Sequence, residues 1–270
     1  MLKQLQDELL RVDWGRTAEA LEAFIAQRFR DAGVAGVVLG LSGGVDSSVV
    51  VVLSVRALSR ERVLGVLMPA EFTPAQDLED AEMLAESLGI ETVRVPIKGI
   101  VDCYASALGI EPSEKTRIPY ANLRARVRMS ILYFYANLRN LLVVGTGDRS
   151  EILLGYYTKY GDGGVDFLPV GNIYKTQLRM LGKHLGLPDR IAFKPSSPQL
   201  YPGHRAVDEL PADYDVLDPV LYALFDKNMS VDEVVGLGAD RRIVEAVVAR
   251  FRGSVHKREM PPVGPCPVIV

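Results

Sequence analysis

A glycine- and serine-rich bend near the start of the chain combines groups that could bind phosphate. Residues 37–52 read V-V-L-G-L-S-G-G-V-D-S-S-V-V-V-V, with a buried-strand pattern, a bend through Ser42, Gly43 and Gly44, and an apolar helical run from Val49. A strand, glycine turn and helix in this order point free backbone N–H groups and the positive end of the helix dipole at an anion. Glycine lets a phosphate approach the backbone because it carries no side chain. We therefore expect a phosphate site here.

An acidic residue, Asp46, lies at the mouth of the bend. A carboxylate beside phosphates is favourable only where a cation such as Mg²⁺ bridges them. The bend is not a Walker A loop, because G-x-x-x-x-G-K-[ST] occurs nowhere in the chain. S-G-G-V-D-S instead resembles the pyrophosphate loop of the ATP pyrophosphatases, which split ATP between its α- and β-phosphates. A plain glycine turn capped by serine is the alternative interpretation.

Three arginines crowd the first half of the helix predicted from Asn122 to Arg139. Arg124, Arg126 and Arg128 oppose the helix dipole there, so a purely structural role is strained. Asn122 and Arg126 share a face, because residues four apart stack on a helix. A solvated basic face is the alternative.

Two further segments could meet a ligand. Residues 145–151, G-T-G-D-R-S-E, follow a predicted strand and are a weak dinucleotide signal, but they place Thr146 and Glu151 at the carboxyl end of that strand. Residues 157–166 combine three glycines with Lys159, Asp162 and Asp166. An ordinary surface loop is the alternative for this second segment.

The elements that would position these side chains alternate between strand and helix. This pattern predicts a parallel sheet with right-handed crossovers in a three-layer α/β/α arrangement, and ligands of such sheets bind at the carboxyl ends of the strands. The remaining predictions are helices within residues 2–30 broken near Trp14, strands at Val63–Met68, Thr92–Val95 and Leu141–Val144, a helix at Pro74–Leu88, a turn and helix at Pro169–His184 carrying Lys175, an ordered or lid-like loop at Pro195–Pro219, and a helix at Asp232–Phe251.

Composition narrows the class of protein. The 270 residues are 48% hydrophobic and 24% charged, which fits one α/β domain over 1–270 with extra helices at both ends. A net charge of −3 gives no support for a nucleic-acid or anionic-membrane binder. Cys103 and Cys266 lie far apart, which favours neither a disulfide framework nor a zinc site and fits a reducing cytoplasm. With neither a leader nor a membrane-spanning apolar run, we expect a cytoplasmic protein.

Six segments, in order, resemble the ammonia-dependent NAD synthetase family. They are S-G-G-V-D-S-S, N-L-R-A-R-V-R-M, G-T-G-D-R-S-E-I-L-L-G-Y, T-K-Y-G-D-G-G-V-D, P-V-G-N-I-Y-K-T-Q-L and the closing H-K-R. The resemblance implies conversion of deamido-NAD to NAD in two steps. The nicotinic acid carboxylate attacks the α-phosphate of ATP, which releases pyrophosphate, and ammonia then displaces AMP.

The resemblance also implies roles for individual residues. Asp46 and Lys175 would be catalytic, and Asp46 and Glu151 would hold Mg²⁺. Residues 198 and 203–210 match the family least. The assignment of Ser197 as an ATP contact is therefore weaker than that of Lys175. The implied ATP-binding residues are Gly40, Leu41, Ser42, Gly43, Gly44, Val45, Asp46, Ser47, Thr146, Lys175 and Ser197, and those for deamido-NAD are Arg126, Lys159, Asp166, His256 and Lys257. From the residues alone, His256 and Lys257 could equally be a frayed basic tail.

The family implies partners as well. A homodimer is expected, with the aromatic half of the 122–139 helix (Tyr133, Phe134, Tyr135 and Leu138) as its interface. Free ammonia is expected as the nitrogen donor, because these residues leave no room for a glutamine-hydrolysing domain. Another pyrophosphate-loop ligase, such as a GMP-synthetase-like or tRNA-modifying enzyme, is the nearest alternative. An inactive nucleotide-binding module is the alternative from another class.

Overall fold

A parallel sheet with the strand order β3-β2-β1-β4 lies at the centre of the computed structural model, which describes residues 2–266. The strands are β1 (Gly36–Leu41), β2 (Val63–Leu67), β3 (Glu91–Arg94) and β4 (Leu141–Val143). In the middle of the sheet, Val38 pairs with Leu64 on one side and Val143 on the other. Helices cover both faces, so the predicted α/β/α class is confirmed.

The helices before β4 are α1 (Leu2–Leu9), α2 (Trp14–Ala32), α3 (Val45–Leu58), α4 (Ala75–Leu88), α5 (Lys98–Leu108) and α6 (Arg117–Arg139). Those after β4 are α7 (Arg149–Leu154), α8 (Lys175–His184), α9 (Asp189–Ala192), α10 (Tyr214–Leu221), α11 (Val231–Gly236), α12 (Arg241–Gly253) and α13 (Val255–Arg258). Short 3₁₀ turns lie at Arg60–Arg62, Glu114–Thr116 and Ala206–Asp208. A π-helical turn, Tyr222–Asp226, continues α10.

Alternation along β1 divides the core into two layers. Val37 and Leu39 are fully buried against the apolar faces of α2, α3 and α8. Val38, which points to the opposite face, is buried with Val127 and Ala136 of α6. Successive strand residues face opposite sides of a sheet, so a strand buried on both faces is a continuous apolar run.

A third apolar cluster joins the first helix to the helices after β4. It includes Leu9, Leu154, Leu217, Leu221 and Val244, all buried. This cluster packs α7 against α10 and includes Tyr174, the residue before α8. The carboxyl ends of β1 and β4 therefore face a wall built by the C-terminal third of the chain.

Several element boundaries differ from the sequence predictions. Helix α3 begins at Val45 rather than Val49, because Gly44 provides the N-cap and the polar residues that follow are tolerated in a first turn. Helix α6 begins at Arg117, since the proline at 119 falls within its first turn, where a missing N–H costs little. The predicted helix over Asp232–Phe251 is two helices, separated at Gly238, whose φ is +100°.

Helices α5 and α10 are the longest of those that the sequence predictions missed. Helix α5 ends at Gly109 in the left-handed conformation, a common helix terminator. Helix α10 lies inside the segment predicted to be a loop, and it contains Pro219. Within residues 2–266, no helix is both long and apolar enough to cross a membrane.

Candidate active site

A cavity opens at the carboxyl ends of β1 and β4, where the parallel topology predicts a ligand. The bend after β1, the segment after β4, the start of α8 and the start of α10 all contribute to its wall. Among the lining residues are Gly40, Leu41, Ser42, Asp46, Ser47, Thr146, Glu151, Lys175, Ser197 and Tyr214.

Backbone geometry at the bend requires glycine. Gly43 has a φ of +71°, and a Cβ atom there would lie 2.0 Å from the carbonyl oxygen of Asp77. The hydroxyls of Ser42 and Ser47 lie 3.1 Å apart, and the backbone N–H of Ser42 donates to Ser47 Oγ at 3.2 Å. The contacts between Ser42 and Ser47 thus stabilise the conformation of the bend. Gly44 and Val45 lie at the base of α3, where Val45 packs into the core.

Lys175 is the electrostatic centre of the cavity. It is the first residue of α8, and its side chain is only 1% exposed. Its Nζ lies 2.6 Å from Asp46 Oδ1, 2.9 Å from Asp148 Oδ2 and 3.0 Å from Glu151 Oε1. Burial alone would lower the pKa of Lys175, but the three carboxylates raise it well above its usual value. Lys175 is therefore a permanent ammonium ion.

Asp148 and Glu151 are held in place by the start of α7. Asp148 Oδ1 accepts from the backbone N–H of Glu151 at 2.9 Å, and Glu151 Oε2 accepts from the backbone N–H of Asp148 at 3.3 Å. Burial raises the pKa of Asp148, and it raises that of Glu151 still further, in both cases against the opposing effect of Lys175. Asp148 was not predicted from the sequence, although the D-x-x-E spacing is a capping-box signal that could have found it.

The charges of these four groups do not balance. Three carboxylates surround one ammonium, so a further cation would offset the excess negative charge. Asp46 and Glu151 are oxygen ligands of the kind that Mg²⁺ prefers, and Mg²⁺ commonly takes one or two carboxylates with the rest of its coordination from water and phosphate. Among residues 2–266, no group of three or more His, Cys, Asp or Glu side chains is arranged to hold a metal ion.

Asp218 of α10 joins α7 to α8 beneath the cavity. Its buried carboxylate accepts from Ser150 Oγ at 2.6 Å, and from both the backbone N–H and the Oγ1 of Thr176 at 2.7 Å. Ser150 Oγ in turn accepts from the backbone N–H of Lys175 at 2.9 Å. Burial raises the pKa of Asp218 to about 7. No sequence signal pointed to Asp218, because its helix was not predicted.

Residues 195–210, which we call the lid segment, contribute residues 196–200 and Ala206 to the wall of the cavity. Ser197, at the cavity wall, donates its hydroxyl hydrogen to the carbonyl oxygen of His204. Tyr201 stacks on His204 with ring centroids 3.8 Å apart. His204 Nε2 lies 3.2 Å from Glu209 Oε2 and 3.2 Å from the hydroxyl of Tyr156. The segment is therefore ordered by a buried polar network.

Four of the five residues implied for deamido-NAD lie beside one another. Both Nε and Nη2 of Arg126 donate to the carbonyl oxygen of Lys159 at 3.4 Å, and Lys159 Nζ donates to that of His256 at 2.6 Å. Lys257 Nζ donates to the carbonyl oxygens of Gly155 and Tyr157 at 2.6 Å. The stretch around His256 is helical, as α13, so a frayed tail does not describe it.

Asp166 and the other two arginines in the first half of α6 make different contacts. Asp166 lies away from this group and accepts from the backbone N–H of Val143 at 2.7 Å and from the hydroxyl of Tyr133 at 3.0 Å. A solvated basic face does not describe Arg124, which is buried and donates to the carbonyl oxygen of Leu200 at 3.1 Å. Arg128 also turns inward and lines the cavity.

A second cavity adjoins the first on the side of the basic residues. Tyr156, Asp162 and Leu200 line both cavities, and Lys257 lines only the second. Burial raises the pKa of Asp162, whose carboxylate accepts from the backbone N–H of Thr158 at 2.8 Å. The two cavities form one elongated site with an anionic centre at one end and cationic side chains at the other.

Comparisons with known proteins agree with this geometry. The family model described as NAD synthase matches residues 17–261. An NH₃-dependent NAD⁺ synthetase from Hyperthermus butylicus is 50% identical over 95% of this chain and 92% of that protein. Among solved structures, an NH₃-dependent NAD synthetase from Campylobacter jejuni has a TM-score of 0.78 at 34% identity, covering 94% of this chain and 100% of that one. An NMN synthetase from Francisella tularensis has a TM-score of 0.82 at 29% identity, covering 94% of this chain and 99% of that one.

These likenesses span the glycine bend, the buried lysine with its three carboxylates, and the basic group formed by Arg126, Lys159, His256 and Lys257. The fold and the site thus lead to the same conclusion as the sequence motifs: the chain belongs to the NAD synthase family.

Proposed function

We propose that this chain amidates deamido-NAD to NAD with ATP and free ammonia, releasing AMP and pyrophosphate. The observation that carries the proposal is the contact of Lys175 with Asp46, Asp148 and Glu151 at the mouth of a phosphate-binding bend. A site with this charge can bind a nucleotide, its metal and a departing anion together. The family relatives support the same substrates.

Mg²⁺ fits the carboxylates of the site. Asp46 and Glu151 would hold it, since both converge on the same Nζ and both line the cavity. When bound, Mg²⁺ neutralises the negative charge of ATP phosphates. Asp148 is fully buried and already caps α7, so it supports Lys175 rather than the metal.

The protein's own groups act by position and charge. A carboxylate is a poor electrophile whose oxygen leaves badly, and its adenylation supplies a good leaving group. The N–H groups at the start of α3 and the ammonium of Lys175 stabilise the negative charge that develops on departing pyrophosphate. Ammonia then attacks the acyl carbon. Neither step needs a covalent nucleophile, and both described cysteines are free and exposed.

The basic group would bind deamido-NAD. Lys257 lines the second cavity. The neighbouring His256 contacts Lys159, which in turn contacts Arg126, and the pyrophosphate of a dinucleotide could pair with the cationic members of this group. The likeness to the Francisella NMN synthetase favours a second candidate substrate, the mononucleotide deamido-NMN. The higher identity to NAD synthetases supports the dinucleotide.

A homodimer is part of the proposal. Phe134 is 63% exposed and Leu138 is 65% exposed, side by side on the outer face of α6. On the same helix, Tyr133 holds Asp166, which would place part of the dinucleotide site close to the subunit boundary. Sedimentation equilibrium of the wild type and of Phe134→Glu tests this. We expect the wild type to be a dimer and Phe134→Glu to be a monomer, and a wild type that is also monomeric would contradict the proposed interface.

One product assay tests the function. The purified protein with ATP, Mg²⁺, ammonium and deamido-NAD should form NAD, AMP and pyrophosphate in equal amounts, and Asp46→Asn should form none while keeping its fold by circular dichroism. Parallel reactions replace ammonium with glutamine and deamido-NAD with deamido-NMN; we expect much lower rates in both. ADP and phosphate as products would contradict cleavage between the α- and β-phosphates.

A further inference from the structure

We propose that the hydroxyl of Tyr214 is a further substrate contact, donating a hydrogen bond to an ATP phosphate oxygen that leaves in pyrophosphate. This inference rests on the proposed function and adds a residue to its mechanism. Neither the motifs nor the sequence patterns pointed to Tyr214, since it begins a helix that was predicted to be a loop.

The position of Tyr214 places it in the reaction cavity. It is the first residue of α10 and only 2% exposed, with its ring packed in the third apolar cluster. The ring centroid lies 5.4 Å from Lys175 Nζ. Tyr214 lines the same cavity as Asp46 and Glu151. It therefore forms part of the wall that faces the proposed metal and phosphates.

The hydroxyl has no hydrogen-bond partner within residues 2–266, although the atom is buried. Buried polar groups in native proteins are nearly always paired, and an exception calls for an explanation such as a catalytic role or a bound group that completes the pairing. Lys175 beside it is already paired, because its Nζ donates to Asp46 Oδ1 at 2.6 Å and to Glu151 Oε1 at 3.0 Å. Within the described residues, the Tyr214 hydroxyl is thus an unpaired donor on this wall of the cavity.

The surroundings decide which kind of ligand suits that donor. Burial raises the pKa of Tyr214 well above its usual value, and the nearby Glu151 raises it further, so the phenol keeps its proton. The carboxylates near Tyr214 would repel a bare anion. An anion that arrives with its own cation can accept the hydrogen bond of the phenol, because the cation offsets that repulsion. Within the proposed reaction that anion is the phosphate chain of Mg-ATP, and the position next to Lys175 favours the departing pyrophosphate.

Tyr214→Phe tests the contact because it removes one oxygen and keeps the ring. We expect turnover to fall tenfold or more, the affinity for Mg-pyrophosphate to weaken by a similar factor in calorimetric titration, and the KM for deamido-NAD to stay within twofold. The melting temperature without ligands should stay the same or rise, since the lost hydroxyl was unpaired. A hydroxyl with a purely structural role would give the reverse pattern.

Tyr222→Phe is a matched control on the turn that continues α10. Its hydroxyl donates to Glu8 Oε1 at 2.9 Å, outside the cavity. We expect it to lower the melting temperature slightly and to leave turnover and Mg-pyrophosphate affinity unchanged.

Two results would overturn the proposal for Tyr214: wild-type Mg-pyrophosphate affinity in Tyr214→Phe, or a loss confined to deamido-NAD. The titration with Mg-pyrophosphate needs no turnover. If the wild type forms no NAD, the proposed function fails, while the titration still reports whether Tyr214 contacts the anion.

Discussion

The environment of Lys175 shows how one side chain can organise a charged site. Removing an ammonium from water is costly, and only close carboxylates with good geometry offset that cost. Asp46, Asp148 and Glu151 all lie within 3.0 Å of Nζ. The ammonium of Lys175 therefore offsets the cost of placing three carboxylates in a largely buried site.

Lys175→Met should destabilise the protein strongly, because it leaves buried carboxylates without a counter-charge. We expect the free energy of unfolding at pH 7 to fall by about 3–5 kcal/mol, as for other broken buried pairs, and adenylation to cease. Urea unfolding measures the loss. Lys227→Met, which removes an exposed partner of Glu8, is the control and should leave the free energy of unfolding nearly unchanged.

The pH dependence of this loss has a definite sign. Without Lys175, the pKa values of Asp148 and Glu151 in the folded state should rise further, since Lys175 lowers both. A carboxyl whose pKa is raised by folding stabilises the folded state at low pH and loses that contribution as pH rises. The deficit of Lys175→Met should shrink between pH 7 and pH 5. A deficit that grows on acidification would contradict this explanation.

Sequence motifs predicted some of these side chains and missed others for a physical reason. Asp46 and Lys175 belong to segments whose residue order resembles the family. Asp148 and Tyr214 act through burial and distance, which depend on how α7, α8 and α10 pack together. The approach of Tyr214 to Lys175 joins residues far apart in the chain, and no local pattern records it. The D-x-x-E spacing marks Asp148 as a helix cap, but not as a partner of Lys175.

Among the helices, Asp218 connects the two that carry the reactive side chains. It binds Ser150 at the start of α7 and Thr176 at the start of α8, one residue after Lys175. A helix N-terminus leaves N–H groups unpaired, and a carboxylate from another helix satisfies one of them here. Glu151 and Lys175 are thus positioned from outside their own helices.

Asp218→Asn should disturb this connection, because an amide has one acceptor oxygen for three donors and adds N–H groups with no acceptor. We expect kcat to fall about tenfold to a hundredfold, since misplacement by about 1 Å can have that effect. The KM for deamido-NAD should change little. Steady-state kinetics measure both parameters.

Asp226→Asn is the matched control for this variant. Asp226 binds Arg149 and Tyr174, the residues just before Ser150 and Lys175, on the outer side of the same helices. We expect a loss of stability with little change in kcat. Equal losses of kcat in the two variants would contradict a specific positioning role for Asp218.

The alternating pattern of the first half predicted the sheet well, because buried parallel strands are short apolar runs. The four strands fall within one or two residues of their predicted bounds. Helix α10 was missed because Pro219 lies inside it, and a proline in a helix interior is normally unfavourable. Its burial in the third apolar cluster compensates for that cost.

For the whole molecule, the lid segment is linked to the residues that follow α7 through His204, whose Nε2 lies 3.2 Å from the hydroxyl of Tyr156. Burial lowers the pKa of His204, although the carboxylate of Glu209 opposes this. A histidine whose pKa is lowered by folding contributes stability above its unfolded value, and this is lost as pH falls below about 6.5. The lid segment should therefore loosen under mildly acidic conditions.

Hydrogen exchange tests this directly. In the wild type, amide protection over residues 195–210 should fall between pH 7 and pH 5.5, after correction for intrinsic exchange rates. In His204→Gln, which cannot be protonated, protection should be independent of pH over that range. Equal pH dependence in both proteins would mean that another group controls the lid segment.

The central claim is that the carboxylate of deamido-NAD attacks the α-phosphorus of ATP at the bend beside Asp46 and Lys175. Deamido-NAD labelled with ¹⁸O in its carboxylate follows this step, and mass spectrometry of the products reads the result. We predict that one labelled oxygen appears in AMP and none in pyrophosphate. Label in pyrophosphate, or AMP without label, would contradict the account.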